Sequence, residues 1–287
     1  MTLRPDIVRN LRLAFIDMSG TSFEDNGIME RAFTRTLEKL GIAADSPRFT
    51  GMLGFVRDTL GQSKVRVFQH LFEDEPAVAA EASREFERQF DELLRTDAVT
   101  AVPGAEDVIL GLRESGLKVV LATGYNRHSQ NQILEHLDWM GLADLSLCPS
   151  DAGRGRPYPD MILTALLALD LADVREVMVV GDTAADMLSG RRAGSRANVG
   201  VLTGAHREDS LRTSGADAVV DSIRDIPGLL ELPLRSHASR ARPPLRCRRP
   251  GRPCPPPGGC PRGDRRRPHR RCTRCPRRRR RGPCPPG

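Results

Sequence analysis

The sequence predicts an α/β protein: a Rossmann-like, doubly wound parallel sheet with an inserted helical cap. Short apolar runs bounded by Gly, Pro or Asp alternate with segments of helical spacing through most of residues 98–235, which is the pattern of a parallel sheet covered on both faces. After the first apolar run, residues 26–97 show only helical spacing. We therefore expect a core made of residues 1–25 and 98–235, and a cap made of residues 26–97.

The predicted strands are short apolar runs, most of which end in small or acidic residues. They lie near residues 11–17, 117–122, 144–148, 176–181, 197–202 and 218–221. Helical spacing or helix-start signals mark the core segments between them. These core helices are placed at residues 104–115, 127–140, 159–169, 183–193 and 207–214. In the cap, the helical stretches include residues 28–40, 64–72 and 77–94.

The C-terminal segment, residues 236–287, has a composition of its own. It contains 18 Arg, no Lys and one acid, so the total charge of +7 divides into +17 here and −10 over residues 1–235. Six of the seven Cys also lie here, among Pro and Gly, with almost no aliphatic residue to bury. We predict a disordered tail. Its composition is also typical of GC-rich DNA translated past a frameshift.

A second interpretation of the tail is nucleic-acid binding. Its Arg clusters, such as Arg277–Arg281, would bind phosphates electrostatically, and Cys272 and Cys275 would form half of a zinc site. However, the tail sequence has no aromatic stacking residue, no second Cys pair at that spacing and no helical or strand periodicity. We keep this function as an alternative and do not expect nucleic acid as the main partner.

Residues 1–235 have the composition of a cytoplasmic protein with no membrane partner. No stretch approaches the roughly 20 consecutive apolar residues of a membrane-spanning helix, and the N-terminal residues lack the apolar core of a secretory signal. Cys148 is the only Cys in this region. We expect it to be a buried small residue near a strand end.

Residues suited to phosphoryl chemistry follow the first four predicted strands. In strand order they are Asp17, then Thr123 with Gly124 and Tyr125, then Arg156, then Asp182 with Asp186. Because ligands bind at the carboxyl ends of strands in open parallel sheets, we treat these residues as one set. A carboxylate that attacks phosphorus repels the anionic phosphate unless a divalent cation and a fixed positive side chain offset the charge. The set offers ligands for the cation and supplies the positive side chain.

The roles within this set follow from charge and hydrogen bonding. Asp182 and Asp186, one helical turn apart, suit Mg²⁺, which takes oxygen ligands and keeps several waters; Asp182 would bind it directly, and Asp186 directly or through water. Arg156 is the positive side chain. The Thr123 hydroxyl and the Gly124 amide would donate to phosphate oxygens. Each residue alone could also be a helix-capping residue, a helix-entry residue or a surface charge. Their order at successive strand ends favours a phosphoryl-transfer site.

In these motifs the chain resembles the haloacid dehalogenase superfamily. The matching motifs are Asp17-Met-Ser-Gly-Thr21, Thr123-Gly124, Arg156 in the position usually held by Lys, and Gly181-Asp182-Thr-Ala-Ala-Asp186. The resemblance covers nearly all of residues 9–232. It implies that Asp17 is the nucleophile and a magnesium ligand, and that the Ser19 backbone carbonyl is another ligand. Asp182 and Asp186 become the distal acidic pair.

Two departures from the common superfamily pattern resemble its phosphonoacetaldehyde hydrolase (phosphonatase) branch. Ser19 stands where phosphomonoesterases have a second Asp that protonates the leaving alkoxide, so ester hydrolysis loses its general acid. Arg156 stands where most members have Lys. Both departures match this branch, as does Tyr125 after Thr123-Gly124, although the branch normally has Ala at the position of Ser19.

A cap lysine extends the resemblance to the branch. Leu60-Gly-Gln-Ser-Lys64 matches its motif of Gly, two residues, then Lys, which implies that Lys64 condenses with the substrate aldehyde. The resulting imine accepts the electrons of the carbon–phosphorus bond, so no acid for an alkoxide is needed. Since only the neutral amine attacks, we predict a lowered pKa for Lys64. The alternatives are a solvated helix-start role for Lys64 and a packing role under the cap for Tyr125.

The cap motif also differs from the branch at three positions. The Met before the Gly is Leu60 here, the His three residues after the Lys is Val67, and the early Cys is absent around Gly27. These differences resemble the phosphonatase-like side group, which implies phosphonoacetaldehyde or a close analogue as substrate and a homodimer through the cap. We therefore predict a magnesium-dependent hydrolase that uses a Lys Schiff base and an aspartyl-phosphate. The alternative is a phosphatase of the same superfamily that acts on a small phosphate ester.

Overall fold

The computed structural model describes residues 4–232, so the predictions for the tail, residues 236–287, lie outside the described residues. Its strands are β1 (Leu13–Asp17), β2 (Phe23–Glu24), β3 (Thr100–Ala101), β4 (Lys118–Ala122), β5 (Leu145–Leu147), β6 (Val177–Gly181), β7 (Ala197–Val201) and β8 (Ala218–Val220). Its helices are α1 (Pro5–Val8), α2 (Ile28–Lys39), α3 (Pro47–Asp58), α4 (Lys64–Leu71), α5 (Pro76–Thr96), α6 (Ala105–Glu114), α7 (Arg127–His136), α8 (Pro149–Ala152), α9 (Asp160–Ala168), α10 (Ala184–Ala193), α11 (Glu208–Ser214) and α12 (Ile226–Leu229). None of the helices in this part of the chain is long and apolar enough to span a membrane.

Six strands form one parallel sheet in the order β5-β4-β1-β6-β7-β8, which confirms the predicted fold class. The chain passes from β1 to β4 and β5 on one side and then returns to β6, β7 and β8 on the other side. The strand order therefore reverses at β1. In doubly wound sheets this reversal opens a crevice at the carboxyl ends of the strands, and ligands bind there.

The sheet is covered on both faces, as its continuous apolar strands require. In β1, Leu13 and Phe15 pack into one buried cluster with residues of α9, whereas Ala14 and Ile16 pack into a larger cluster on the opposite face. This alternation follows the two-residue period of a strand. With both faces packed, the ends of the strands hold their side chains in a fixed frame.

The inserted cap consists of α2, α3, α4 and α5, which lie between β2 and β3. Its centre is aromatic: the ring centroids of Phe33 and Phe86 lie 4.5 Å apart, and those of Phe33 and Phe68 lie 4.9 Å apart. The two-residue antiparallel ladder of β2 and β3 joins the entry and exit of the cap. This short ladder ties both connecting segments of the cap together next to the end of β1.

The secondary structure differs from the sequence expectation in several short elements, such as β2 and β3, and more substantially in two helices. Helix α3 was not predicted; its Ser46 cap accepts a hydrogen bond from the Phe49 amide and it buries Phe49, Met52 and Val56. Helix α7 ends at His136 rather than at residue 140, because Asp138 adopts a left-handed conformation (φ 57°) that an α-helix cannot continue through.

Candidate active site

Asp17 is the last residue of β1, in the middle of the sheet, and only 4% of it is exposed. The chain then makes a tight turn in which the amides of Ser22 and Phe23 both donate to the Met18 carbonyl, at 2.8 and 2.9 Å. Gly20 lies in this turn with φ +79°, and a Cβ there would lie 2.5 Å from Asp182 Oδ2. A glycine is therefore needed both for the backbone conformation and for the close approach of the two acidic segments.

Asp182 and Asp186 enter the site from the end of β6 and the first turn of α10. Asp182 accepts hydrogen bonds from the Ala205 amide at 2.8 Å and the Thr21 hydroxyl at 3.1 Å. Asp186 accepts from both the amide and the hydroxyl of Thr183 in a capping box that starts α10. Both carboxylates are thus held in place by local backbone structure.

The three buried acids form one cluster, since carboxylate oxygens of Asp17, Asp182 and Asp186 all lie within 4.8 Å of one another. Burial raises the pKa of Asp17 well above its usual range, against the opposing effect of Arg156. Burial, followed by repulsion from Asp186, raises the pKa of Asp182 to about 6. When ionised, the three carboxylates thus carry more negative charge than the nearby positive groups balance. Their oxygen atoms are the type of ligand that Mg²⁺ prefers.

Arg156 is the cation that contacts this cluster. It comes from the loop between α8 and α9, is only 2% exposed, and donates through Nη1 to both Asp17 and Asp186. Burial opposes its charge, but the two carboxylates outweigh that effect and raise its pKa. Within the described residues its Nε is a buried donor without a hydrogen-bond partner. A fixed positive group with a spare donor is suited to binding a phosphoryl oxygen.

Thr123, Gly124 and Tyr125 follow β4 and lie beside Asp17, because Asp17 pairs with Ala122 in the sheet. Thr123 is buried, and its hydroxyl accepts from the Tyr125 amide at 3.3 Å. A Cβ at Gly124 would lie 2.9 Å from the carbonyl oxygen of Gln62 in the cap. Gly124 therefore lies where the cap loop is in close contact with the core.

Lys64 is the first residue of α4 and lies on the cap side of the same contact. Its Nζ lies 5.5 Å from the centroid of the Tyr125 ring and 3.5 Å from the Gln62 carbonyl oxygen. Burial, and then the positive charge of Arg156, lower the pKa of Lys64 to about 8. The shift has the direction that the chemistry of a nucleophilic amine requires.

A cavity of about 340 Å³ brings the core and cap residues together. All of the sequence-predicted site residues line it except Asp186, which lies beneath, bonded to Arg156 and Thr183. The predicted residues that line it are Asp17, Ser19, Lys64, Thr123, Gly124, Tyr125, Arg156 and Asp182. The cavity is therefore lined by carboxylates and a guanidinium as well as by an amine and a phenol.

Sequence reasoning missed two parts of this site. The loop after β7 contributes Thr203, Gly204 and Ala205; the strand-end rule that found Asp17 and Asp182 would have found this loop if applied to β7. Asp25, at the entry to the cap, also lines the cavity. Its only sequence signal is an acid before Asn26-Gly, which is typical of an ordinary turn.

The comparison with known families agrees with this geometry. The sequence model of the haloacid dehalogenase-like hydrolases matches residues 11–194, which make up more than half of the chain and include every core site residue described above except the loop after β7. The chain belongs to the haloacid dehalogenase-like hydrolases. The predicted superfamily and the assignment as a hydrolase are thereby confirmed.

Two relatives of this haloacid dehalogenase-like hydrolase differ in the activity their names give. A phosphonoacetaldehyde hydrolase of Bacillus cereus (strain AH187) is 34% identical over 145 residues, which are 49% of this chain and 52% of that protein. The chain thus matches about half the length of these curated relatives. "Probable phosphatase IndB" of Dickeya dadantii is 27% identical over 232 residues, 79% of this chain and 96% of that protein.

Solved structures share the fold at low sequence identity. A phosphonoacetaldehyde hydrolase-like protein from Oleispira antarctica superposes with a TM-score of 0.65 and 21% identity, over 77% of this chain and 92% of that one. A hydrolase from Pseudomonas syringae superposes with a TM-score of 0.65 and 22% identity, over 77% of this chain and 98% of that one. At these identities the likeness supports the fold alone.

Proposed function

We propose that this protein is a magnesium-dependent phosphonatase-like hydrolase that cleaves the carbon–phosphorus bond of phosphonoacetaldehyde or a close analogue. The observation that carries the proposal is a cap amine, Lys64, with a pKa of about 8, in the same cavity as the buried strand-end carboxylate Asp17. Hydrolysis of a phosphate ester requires no amine nucleophile. Ser19 offers no acid for an alkoxide, so the leaving group has to be activated from its carbon side.

Lys64 performs the first half of the reaction. Its neutral amine adds to the aldehyde carbon, and loss of water leaves a protonated imine two bonds from phosphorus. Burial favours the neutral form of Lys64. The phenol of Tyr125 borders the amine and helps to place it.

Asp17 performs the second half. Its carboxylate attacks phosphorus, the carbon–phosphorus bond breaks, and the electron pair moves into the imine to give an enamine and an acyl phosphate on Asp17. Water then releases phosphate from Asp17. Protonation and hydrolysis of the enamine release the aldehyde and restore the Lys64 amine. Arg156 and the Thr123 hydroxyl would bind the phosphoryl oxygens, and both residues line the cavity.

Magnesium is proposed as the cofactor of the acidic cluster. Asp17, the Ser19 backbone carbonyl and Asp182 would hold it, with Asp186 bound directly or through water. The ion supplies positive charge that offsets the repulsion between the acids and an anionic substrate. Without it, the buried acids retain the raised pKa values described above.

A phosphatase acting on a small phosphate ester is the second candidate. It is favoured by one observation, the similarity to "Probable phosphatase IndB", which extends over 96% of that protein. The phosphonoacetaldehyde hydrolases are more similar but match over only about half their length. In a phosphatase, Lys64 would bind substrate or solvent and would not form a covalent bond.

Borohydride trapping distinguishes the two candidates. With phosphonoacetaldehyde present, borohydride should reduce the imine and label Lys64 covalently, as located by peptide mass spectrometry. Lys64→Ala should lose both labelling and phosphate release. Failure to label the wild-type protein, together with turnover of simple phosphate esters by Lys64→Ala, would favour the phosphatase.

The location, the oligomeric state, the domain boundaries and the function of the tail are also proposals. We propose a cytoplasmic location and a homodimer formed through the cap. The boundaries of the core and the cap, at residues 25/26 and 97/98, are proposed on the same basis. A nucleic-acid-binding function of the tail, residues 236–287, is the third candidate, and its test is described below.

A further inference from the structure

Asp25 is a cavity residue to which the proposed reaction assigns no role. It follows β2 at the entry to the cap and is half-buried. Its Oδ1 accepts from the Gly27 amide at 3.0 Å, and its Oδ2 accepts from the Met29 amide at 3.2 Å. These two bonds fix the carboxylate to the first turn of α2. They would be sufficient for a helix-capping role.

A third bond goes beyond helix capping. The Tyr125 hydroxyl, from the end of β4, donates to Asp25 Oδ2 at 3.3 Å. This bond connects the entry of the cap with the core segment that carries Thr123 and Gly124. A carboxylate that only capped α2 would not need a partner on the core.

Contacts hold the Tyr125 side chain at both of its ends. Its ring packs against Phe90 of α5, with centroids 4.4 Å apart, and its hydroxyl is held by Asp25 and also interacts with the Ser19 side chain. Lys64 lies over the same ring, with Nζ 5.5 Å from the centroid. The phenol therefore has little freedom to rotate, and its position limits where the amine can lie.

Asp25 also acts on the charge of Lys64. Burial and Arg156 lower the pKa of Lys64, whereas Asp25 raises it more than Asp17 or Asp182 does. Arg156 bonds to Asp17 and Asp186, on the phosphoryl side. Asp25 is thus the carboxylate with the largest effect on the amine, although it does not contact the acidic cluster through any described hydrogen bond.

We propose that Asp25 is a positioning residue for imine formation: it fixes the Tyr125 hydroxyl and thereby holds the Lys64 amine in line with the aldehyde carbon of the substrate. Because Lys64 belongs to the cap and Tyr125 to the core, this alignment exists only when the cap is seated on the core. The inference rests on the proposed function, since it concerns the Lys64 imine.

The test compares the trapping rates of Asp25→Asn, Tyr125→Phe and the double variant on the full chain, with borohydride and phosphonoacetaldehyde. Asn keeps a side-chain acceptor for the cap of α2 but removes the carboxylate that holds the phenol. Rates are compared at the high-pH plateau, because loss of the Asp25 charge also lowers the pKa of Lys64. We expect each single variant to lose about tenfold or more in plateau rate, and the double variant to lose no more than the worse single.

Ser46→Ala is the matched control for a merely structural role. It removes the cap of α3, another cap helix, by deleting the acceptor of the Phe49 amide. It should lower the melting temperature and leave the plateau trapping rate unchanged. A wild-type plateau rate in Asp25→Asn, or losses that multiply in the double variant, would overturn the role of Asp25. If the wild-type protein itself were never trapped, the imine would be wrong and this inference would fall with it.

Discussion

Ser19 has a hydroxyl group at the position where phosphomonoesterases have a second carboxyl group, which protonates the leaving alkoxide. The side chain at this position therefore distinguishes cleavage of a phosphonate from hydrolysis of a phosphate ester. Ser19→Asp should restore that acid, because the side chain lines the cavity next to Asp17. We expect hydrolysis of an alkyl phosphate to rise by about 10²-fold. Phosphate release from an ester whose leaving alkoxide needs a proton is the measurement. Ser19→Asn is the isosteric control, and an equal rise in that variant would contradict the explanation.

The protonation state of Lys64 predicts how imine formation depends on pH. Its pKa of about 8 lies below the ordinary lysine value, and the reactive form is deprotonated. The trapping rate should therefore rise with pH through a midpoint near 8, and should be about tenfold faster at pH 9 than at pH 7. Measured rates of covalent labelling between pH 6 and pH 10 check this. A midpoint above 10 would indicate a solvated lysine.

Replacement of Asp182 in the acidic cluster should give a variant that is more stable than the wild-type protein but inactive. The folded-state pKa of Asp182 is raised to about 6, so stability is lost as the pH rises through that value, by on the order of 2 kcal/mol at pH 7. Asp182→Asn removes this loss of stability, and the amide group of the Asn side chain can still form hydrogen bonds with Thr21 and Ala205. Its melting temperature without metal should exceed that of wild type by several degrees at pH 7.

The same variant should converge with wild type near pH 4, where the Asp182 carboxylate of the wild-type protein is protonated. It should also lack the rise in melting temperature that added Mg²⁺ gives to wild type. Thermal melts at both pH values, with and without Mg²⁺, provide the measurement. A lower melting temperature for the metal-free variant at pH 7 would show that the Asp182 charge is well compensated.

At the scale of elements, the loop before α4 determines where Lys64 lies. Gly61 has φ +83°, and a Cβ there would lie 2.3 Å from Thr183 Oγ1 of the core. Gly61→Ala should therefore push the loop away from α10 and reduce the trapping rate at Lys64 by about 10²-fold. Gly41→Ala is the matched control, since Gly41 has φ +78° and open space around it.

Both Gly variants carry the strain of a left-handed alanine, about 1 to 2 kcal/mol. Melting temperatures should therefore fall in both, whereas the trapping rate should fall in Gly61→Ala alone. Equal losses of trapping would show that loosening of the cap is responsible, and that the contact with Thr183 has no part in it.

Most elements could be predicted from the sequence because their apolar spacing survives in the fold. The strands of the parallel sheet are examples, since burial on both faces makes each of them a nearly continuous apolar run. Helix α3 could not, because Gly51 and Gly54 interrupt its interior and only tertiary burial of Phe49 and Met52 offsets their low propensity. The ladder of β2 and β3 has two residues on each strand, which is too short for a periodic signal.

At the scale of the whole molecule, most of the candidate site was predictable because one topological rule gathers it. Strand ends that are far apart in sequence meet at the reversal of strand order, so Asp17, Thr123 and Asp182 could be grouped before their distances were known. Asp25 could not be assigned to the site in this way, since it follows a two-residue strand outside the main sheet. Its partner Tyr125 lies 100 residues away in the sequence. Contacts between residues this far apart depend on tertiary packing, which local pattern does not encode.

The distribution of charge over the whole chain gives the last prediction. The site lies within residues 4–232, and residues 236–287 carry +17 against −10 for the rest. A chain ending at residue 235 should therefore keep its kcat and its melting temperature. Any retention of the full chain on nucleic acid should disappear in the shortened chain, and should weaken steeply with salt in the full one. Loss of turnover in the shortened chain would place residues 236–287 in the enzyme, whereas salt-sensitive binding by those residues alone would favour the nucleic-acid alternative.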